Sequence, residues 1–178
     1  KVRYIGGSSM HAWQFMKAIG LQRANGWARF VAMQNYYNLL YREEEREMLG
    51  ICLSEGVGTT PWSPLGRGRL ARPWTAEPQT ERSKNDNYAK TLYAKTVDID
   101  KPVIDRVNEI ASERGTAPAR IAMAWLLHKP AVTSPIFGAT KPHHLEDAIA
   151  AVETKLSEAE IARLEELYQP HASMGAFS

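Results

Sequence analysis

One thiol, Cys52, is all that 178 residues contain. An internal disulfide is therefore excluded, and the chain fits a reducing compartment. A cytoplasmic location is the expectation. Cys52 sits among apolar residues at helical spacing and reads as a small buried hydrophobe, not a reactive thiol. Long apolar runs are missing too. None approaches the length of a membrane span, and no signal-peptide pattern opens the chain, so no membrane partner is expected. Charge of one sign is scarce: a net charge of +2 provides no basic field of the kind that binds nucleic acid. No G-x-G-x-x-G run, P-loop or nucleophile elbow is found.

What is present is a globular composition, 44% hydrophobic and 24% charged, at a length suited to one domain. Short β-type runs occupy 2–5, 29–34, 57–63 and 132–138. The first is closed by Gly6-Gly7, and the fourth persists despite Pro135. Helical spacing follows each run. Trp13, Met16 and Ile19 mark one helix, ended by Asn25-Gly26. Glu43, Glu44 and Glu45 open another with pairs Met48/Cys52 and Leu49/Leu53, closed by Gly56 and Gly58. Val103, Val107 and Ile110 mark a helix ended by Gly115; Thr116 can cap the next, whose face is Ile121, Ala122, Trp125 and Leu126. Thr140-Lys141-Pro142 starts a helix with Leu145, Ala148, Ile149 and Val152 on one face. Ser157-Glu158-Ala159-Glu160 is a capping box that opens the last helix, with Ile161, Leu164 and Tyr168 inward. Gln169-Pro170 stops it, and the tail beyond is expected to be loose. From Leu70 to about Asp100 runs a long polar stretch of the kind that is usually functional or disordered.

Alternating strands and helices imply parallel strands with helices packed outside. Right-handed crossovers leave an open doubly wound sheet or part of a (β/α)8 barrel. A complete barrel takes about 250 residues, so this chain supplies about half of one. Lys1 leads straight into a strand, and the expectation is a chain that begins inside a larger protein.

Either architecture places its ligand at the C-terminal strand ends. Those ends offer Ser8 and Ser9, then Gln34 and Asn35, then Trp62, Ser63 and the Gly66-Arg67-Gly68 loop, then Gly138, Ala139, Thr140 and Lys141. Neutral donors and acceptors come first, an aromatic plate next, and anion-binding features last. Such an order suits a long ligand with an amide-bearing ring at one end and phosphates at the other. The N-terminus of the helix at Thr140 to His143 attracts an anion, and Lys141 adds a full charge. Gly66 and Gly68 let backbone approach a pyrophosphate.

The segments 4–10, 33–38, 61–68 and 138–141, in this order, resemble the aldo-keto reductases, and most of all the bacterial branch near the potassium-channel β-subunits. The resemblance spans nearly the whole chain. It implies the C-terminal half of a (β/α)8 barrel, a single partial domain over 1–178, that holds NADPH or NADP in an extended form. By position, Ser8, Ser9 and Gln34 would hold the nicotinamide carboxamide, and Trp62 would stack on the nicotinamide face. Ser63, Leu65, Gly66, Arg67 and Gly68 would line the pyrophosphate. Gly138, Thr140, Lys141, His144 and Asp147 would meet the adenosine and its 2′-phosphate, with Arg82 a further phosphate contact. Where many relatives carry Glu-Asn at the adenine, this chain has Asp147-Ala148. The catalytic Asp, Tyr, Lys and His of the family belong to the first half of the barrel, so no catalytic residue is assigned here. The implied reaction is reduction of an aldehyde or ketone; the alternative is an NADP(H)-binding regulatory subunit with little turnover. The missing barrel half, or a second chain, is the expected partner.

Each residue also has a plainer meaning. Trp62 alone would be core, Ser8 and Ser9 an ordinary turn, and Lys141 a solvated charge. Gln34, if buried, needs a partner that backbone can supply. Arg69 and Arg72 read as surface charges. His143 and His144 point in different directions on a helix and lack a third ligand nearby, so no metal is expected. Tyr36, Tyr37 and Tyr41 read as pocket wall or core.

Overall fold

The computed structural model describes residues 1–75, 92–93 and 95–173. Strands β1 (Ile5–Ser8), β2 (Phe30–Gln34) and β3 (Gly58–Thr59) form a parallel sheet in which spatial order equals chain order. Helices α1 (Ala12–Asn25) and α2 (Met48–Glu55) make the crossovers. Then come α3 (Val97–Glu113), α4 (Pro118–His128), α5 (Pro142–Glu153) and α6 (Glu158–Glu165). Short 3-10 turns occupy Glu43–Glu45 and Gly66–Ala71. The described residues thus show an α/β arc, part of a barrel.

The strands differ from expectation in informative ways. β1 contains Gly6 and Gly7 instead of ending before them. A Cβ on Gly6 would stand 2.9 Å from the Ala32 carbonyl oxygen, and one on Gly7 would stand 2.6 Å from Met33 Cε. Both glycines therefore allow close approach of β2. β3 is a ladder of two residues, Gly58 and Thr59. The chain stays beside β2 through Thr60 N–H to Met33 O (2.9 Å) and Trp62 N–H to Asn35 O (2.8 Å). The expected fourth strand is reduced to two parallel bridges, Thr59 with Val132 and Trp62 with Ile136. Pro135 interrupts the ladder, and the N–H groups of Thr133 and Ser134 converge on Thr59 O.

Helix α1 buries Phe15, Ile19 and Gln22 against the sheet, whereas Trp13 is 63% exposed. The face read from Trp13 and Met16 was thus rotated from the true one. Gln22 belongs inside because its Oε1 accepts the Phe30 N–H at the start of β2 (3.3 Å). Met33, Met48, Cys52 and Val57 complete that small core. Burial pushes the Cys52 thiol up to about 11, in keeping with an inert hydrophobe.

The three glutamates do not open α2. They form a separate 3-10 turn, and α2 starts at Met48 with Glu47 as its cap. Their carboxylates are used elsewhere: Glu43 accepts from Tyr168 (2.6 Å), Glu44 from Asn35 (2.7 Å) and Glu45 from Tyr37 (2.6 Å). The main core lies between this region and α3, α4 and α6, with Ile104, Val107, Ile121, Trp125, Leu126 and Leu164 inside. Ala117, not Thr116, is the N-cap of α4; Pro118 follows at the first turn, and Thr116 Oγ1 is buried without a partner. The capping box of α6 forms as expected, with Ser157 Oγ accepting from Glu160 N–H (3.3 Å).

On α5 the inward residues are Ala148 and Ala151, while Leu145, Ile149 and Val152 are 50%, 62% and 59% exposed. The expected apolar face exists, and nothing among the described residues covers it. The tail is tied down at least to His171, which corrects the expectation of a loose end. The His171 N–H donates to Glu43 Oε1 (2.9 Å), and its Nε2 lies 2.9 Å from Asp100 Oδ1. Burial alone would lower the His171 pKa, but its bond to Asp100 and the charge of that group raise it.

Candidate functional site

The C-terminal strand ends converge by direct contacts. Ser8 Oγ donates to the Gln34 carbonyl (3.1 Å), and the Ser9 N–H donates to the same oxygen (3.1 Å). Trp62 Nε1–H reaches Ser9 Oγ at 3.4 Å. Ser8, Ser9, Gln34 and Trp62, far apart in sequence, therefore form one group. The Gln34 side chain is exposed, so its amide is open to a ligand and needs no internal partner.

After Trp62 the chain curls tightly. Gly66 N–H donates to Ser63 O (3.0 Å), and Gly68 N–H and Leu70 N–H both donate to Leu65 O (2.9 and 3.2 Å). Gly66 and Gly68 take positive φ, as the loop requires. So do Ser9, Ser63 and Arg67, the positive-φ non-glycine residues among the described residues. A side chain in that region costs about 1–3 kcal/mol and tends to persist at functional sites. All three are residues singled out from the sequence as ligand contacts, and they sit on this one rim.

The fourth set joins through the Trp62–Ile136 bridge and through Leu65, which packs against the Met123, Ala148 and Ala151 cluster. Lys141 is the exposed N-cap of α5, and Pro142 occupies the first turn. Gly138 and Thr140 are exposed. His144 Nδ1 accepts the Thr140 N–H (3.3 Å), which shapes the approach to α5. Asp147 is already engaged, at 3.4 Å from Arg120 Nη2. Arg82 lies outside the described residues.

Several contributors received no ligand role from the sequence: Tyr36 and Tyr41 read as pocket wall or core, and Arg69 as a surface charge. Asn38 Nδ2 donates to Ser63 O (2.9 Å), and its Oδ1 accepts from Leu40 N–H (2.8 Å). Tyr36 stacks on Trp62 with ring centroids 4.5 Å apart, and Tyr41 stacks on Tyr36 at 4.6 Å. Arg69 is not a surface charge: its guanidinium lies 4.7 Å from the Trp74 ring centre and 4.6 Å from that of Tyr93, and burial lowers its pKa. The Asn-x-x-Asn spacing and clustered tyrosines of 35–41 were the available signal.

Behind the site sits a titratable carboxyl, Glu44, hydrogen-bonded by Asn35. Burial pushes the Glu44 carboxyl up to about 7, against the Asn35 hydrogen bond, which lowers it. Asn35 is fully buried, and its backbone oxygen holds Trp62. From pH 4.5, the ordinary carboxyl value, to about 7 the folded chain retains a proton that the unfolded chain has lost. Stability from this group therefore falls across that window, by at most roughly 3 kcal/mol. Glu44→Gln keeps an oxygen for Asn35 and removes the titration. Urea unfolding at a series of pH values should show the variant gaining on the parent between those limits; two parallel profiles would refute the assignment.

The sequence model of the Aldo/keto reductase family matches residues 1–169. The chain belongs to that family. The aldo/keto reductase relatives of this chain include versiconal hemiacetal acetate reductase of Aspergillus parasiticus, 44% identical over 97% of this chain and 50% of that protein. A putative aryl-alcohol dehydrogenase of Schizosaccharomyces pombe is 48% identical over 96% of this chain and 47% of its own length. An aldo-keto reductase of Fusarium vanettenii is 45% identical over 98% and 46% respectively. The chain thus spans about half the length of the curated relatives it matches. Family membership and these relatives support an oxidoreductase. Among the described residues, no helix is long and apolar enough to cross a membrane.

Proposed function

We propose that the full-length protein is an NADPH-dependent reductase of aldehydes and ketones, and that this chain contributes most of the cofactor site. The observation that carries this reading is the contact group Ser8–Ser9–Gln34–Trp62 on the rim where Ser9, Ser63 and Arg67 adopt positive φ. The group fits the cofactor: an exposed amide and hydroxyl beside a half-buried indole suit a flat carboxamide-bearing ring, and the partly exposed Arg67 and Gly68 of the tight turn at 63–68 stand where a pyrophosphate would follow. When bound, NADPH supplies the hydride for the carbonyl carbon.

In this reading Ser8, Ser9 and Gln34 orient the carboxamide, and Trp62 fixes the plane of the ring, so that one face is presented to substrate. Ser63, Leu65, Gly66, Arg67 and Gly68 bracket the pyrophosphate. Gly138, Thr140, Lys141, His144 and Asp147, with Arg82, take the adenosine end. Lys141 is the cation that favours the 2′-phosphate of NADPH over the hydroxyl of NADH. The proton donor to the alkoxide comes from the other half of the barrel, which also covers the exposed face of α5 and the free edge of β1. The names of the fungal relatives favour turnover over a purely regulatory, channel-subunit-like role.

Titration of the full-length protein with NADPH and NADH, followed by fluorescence quenching, tests the reading. Lys141→Ala should weaken NADPH by roughly tenfold, as expected for loss of one charge-assisted contact worth about 1.5 kcal/mol, and leave NADH unchanged. Equal loss for both cofactors, or no loss for either, contradicts the role of Lys141. Oxidation of NADPH that requires an added aldehyde identifies the enzyme; tight binding without turnover of any aldehyde points to the regulatory alternative.

A further inference from the structure

We propose that Tyr36 is a positioning residue that sets the plane of the Trp62 indole; the inference rests on the cofactor reading above. The segment from Asn35 to Tyr41 grips Trp62 at three levels. Its backbone is held on one side by the Trp62 N–H to Asn35 O bond (2.8 Å). On the other side Asn38 Nδ2 binds the carbonyl of the next residue, Ser63 (2.9 Å). The ring itself is backed by Tyr36, 4.5 Å between centroids and 25° from parallel.

Tyr36 is in turn immobilised. Tyr41 stacks on it at 4.6 Å and 27°, and the Tyr36 hydroxyl donates to that of Tyr93. Tyr41 is fixed by paired backbone bonds with Asn38, each 3.1 Å. Tyr36 and Tyr41 are 4% and 3% exposed, so the stack is closed off from water behind Trp62. Burial raises the pKa of Tyr36, as does its neighbour Tyr93, so Tyr36 stays a neutral phenol at any working pH and serves as a plate, not an acid. An indole with no ring behind it can tilt about its side-chain torsions, and a ligand ring stacked on it would tilt with it. The Trp62–Tyr36–Tyr41 stack removes that freedom before the ligand arrives, which is where affinity for a flat ring is gained.

The test uses full-length protein and two probes, NADPH and adenosine 2′,5′-bisphosphate, which lacks the nicotinamide. Tyr36→Leu keeps apolar bulk and deletes the ring. It should weaken NADPH by three- to tenfold, the effect of one lost aromatic pair, and change the bisphosphate affinity less than twofold. Tyr36→Phe should restore NADPH binding, since the ring and not the hydroxyl carries the effect. Tyr41→Leu, one ring further back, should give a smaller loss of the same kind and stands in if Tyr36→Leu does not fold. Unchanged NADPH binding in Tyr36→Leu overturns the proposal. So does a parallel loss of both probes, which marks general damage. Trp62→Ala separates the levels: if it binds NADPH like the parent, the nicotinamide reading fails along with the proposal. If Trp62→Ala loses NADPH and Tyr36→Leu does not, only the role of Tyr36 fails.

Discussion

Trp125→Ala is expected to cost about 3–5 kcal/mol of stability, the range for deleting a large buried aromatic. Trp125 is fully buried in α4, where its ring lies 5.6 Å from that of Tyr37. Its Nε1–H donates to Glu165 Oε1 (2.8 Å), and the Lys129 ammonium and Arg42 guanidinium lie 4.8 and 5.6 Å from the indole centroid. Alanine therefore opens a cavity and also strips Glu165 of one donor while two cations lose the ring face beneath them. Trp125→Phe should cost distinctly less, because it refills most of the cavity and loses only the N–H. Urea unfolding of the full-length protein at neutral pH measures both. A loss below ~1 kcal/mol for the alanine variant would mean that the site collapses or is less central than its contacts imply.

Residues 1–178 produced alone are expected to associate and not to behave as a 20.0 kDa monomer. Leu145, Ile149 and Val152 on α5 are at least half exposed, and at the opposite end of the arc Val2 and Tyr4 are 75% and 73% exposed beside the free edge of β1. Each such side chain gains about 1.5–3 kcal/mol when fully buried, so the drive to cover these faces is large. Light scattering should report a mass well above 20.0 kDa or broad polydispersity. Co-expression with the complementary half of the full-length polypeptide should yield a stable pair, and charging the α5 face with Ile149→Asp and Val152→Asp should weaken it. A monodisperse, cooperatively unfolding monomer would contradict this view of the arc.

Much of the arrangement was legible because it is local. The β2 run, the face of α4 from Ile121 to Leu126 and the Ser157 capping box follow from spacing that neighbours in sequence impose, whereas the first run is shifted and the third and fourth are cut short. The α1 face was not, because size misled: Trp13 outweighs Gln22 on any hydrophobic scale, yet Gln22 has a specific acceptor role to fill at β2. The α5 face was read correctly as apolar, but an apolar face does not say what covers it. Long-range polar partnerships left the least trace. His171 meets Asp100 across 71 residues, and Tyr36 meets Tyr93 across 57, with no sequence signal beyond the residue types. At the candidate site, the residues of the rim were identifiable, whereas the tyrosine stack behind them was not, since aromatic neighbours such as Tyr36 and Tyr37 give no hint of which one faces Trp62.

The identity of spatial and chain order in the sheet has a kinetic side. Each strand adds beside the one made just before it, so the β1–β2 and β2–β3 closures are of similar length and cost, whereas the closure to 132–136 is much longer. The β1–α1–β2 unit can dock while later residues are still emerging from the ribosome, and Trp62 finds Asn35 waiting in an assembled strand end. Pulse-labelled exchange during refolding is then expected to show the 132–136 bridges as the last sheet contacts to acquire slow amide exchange.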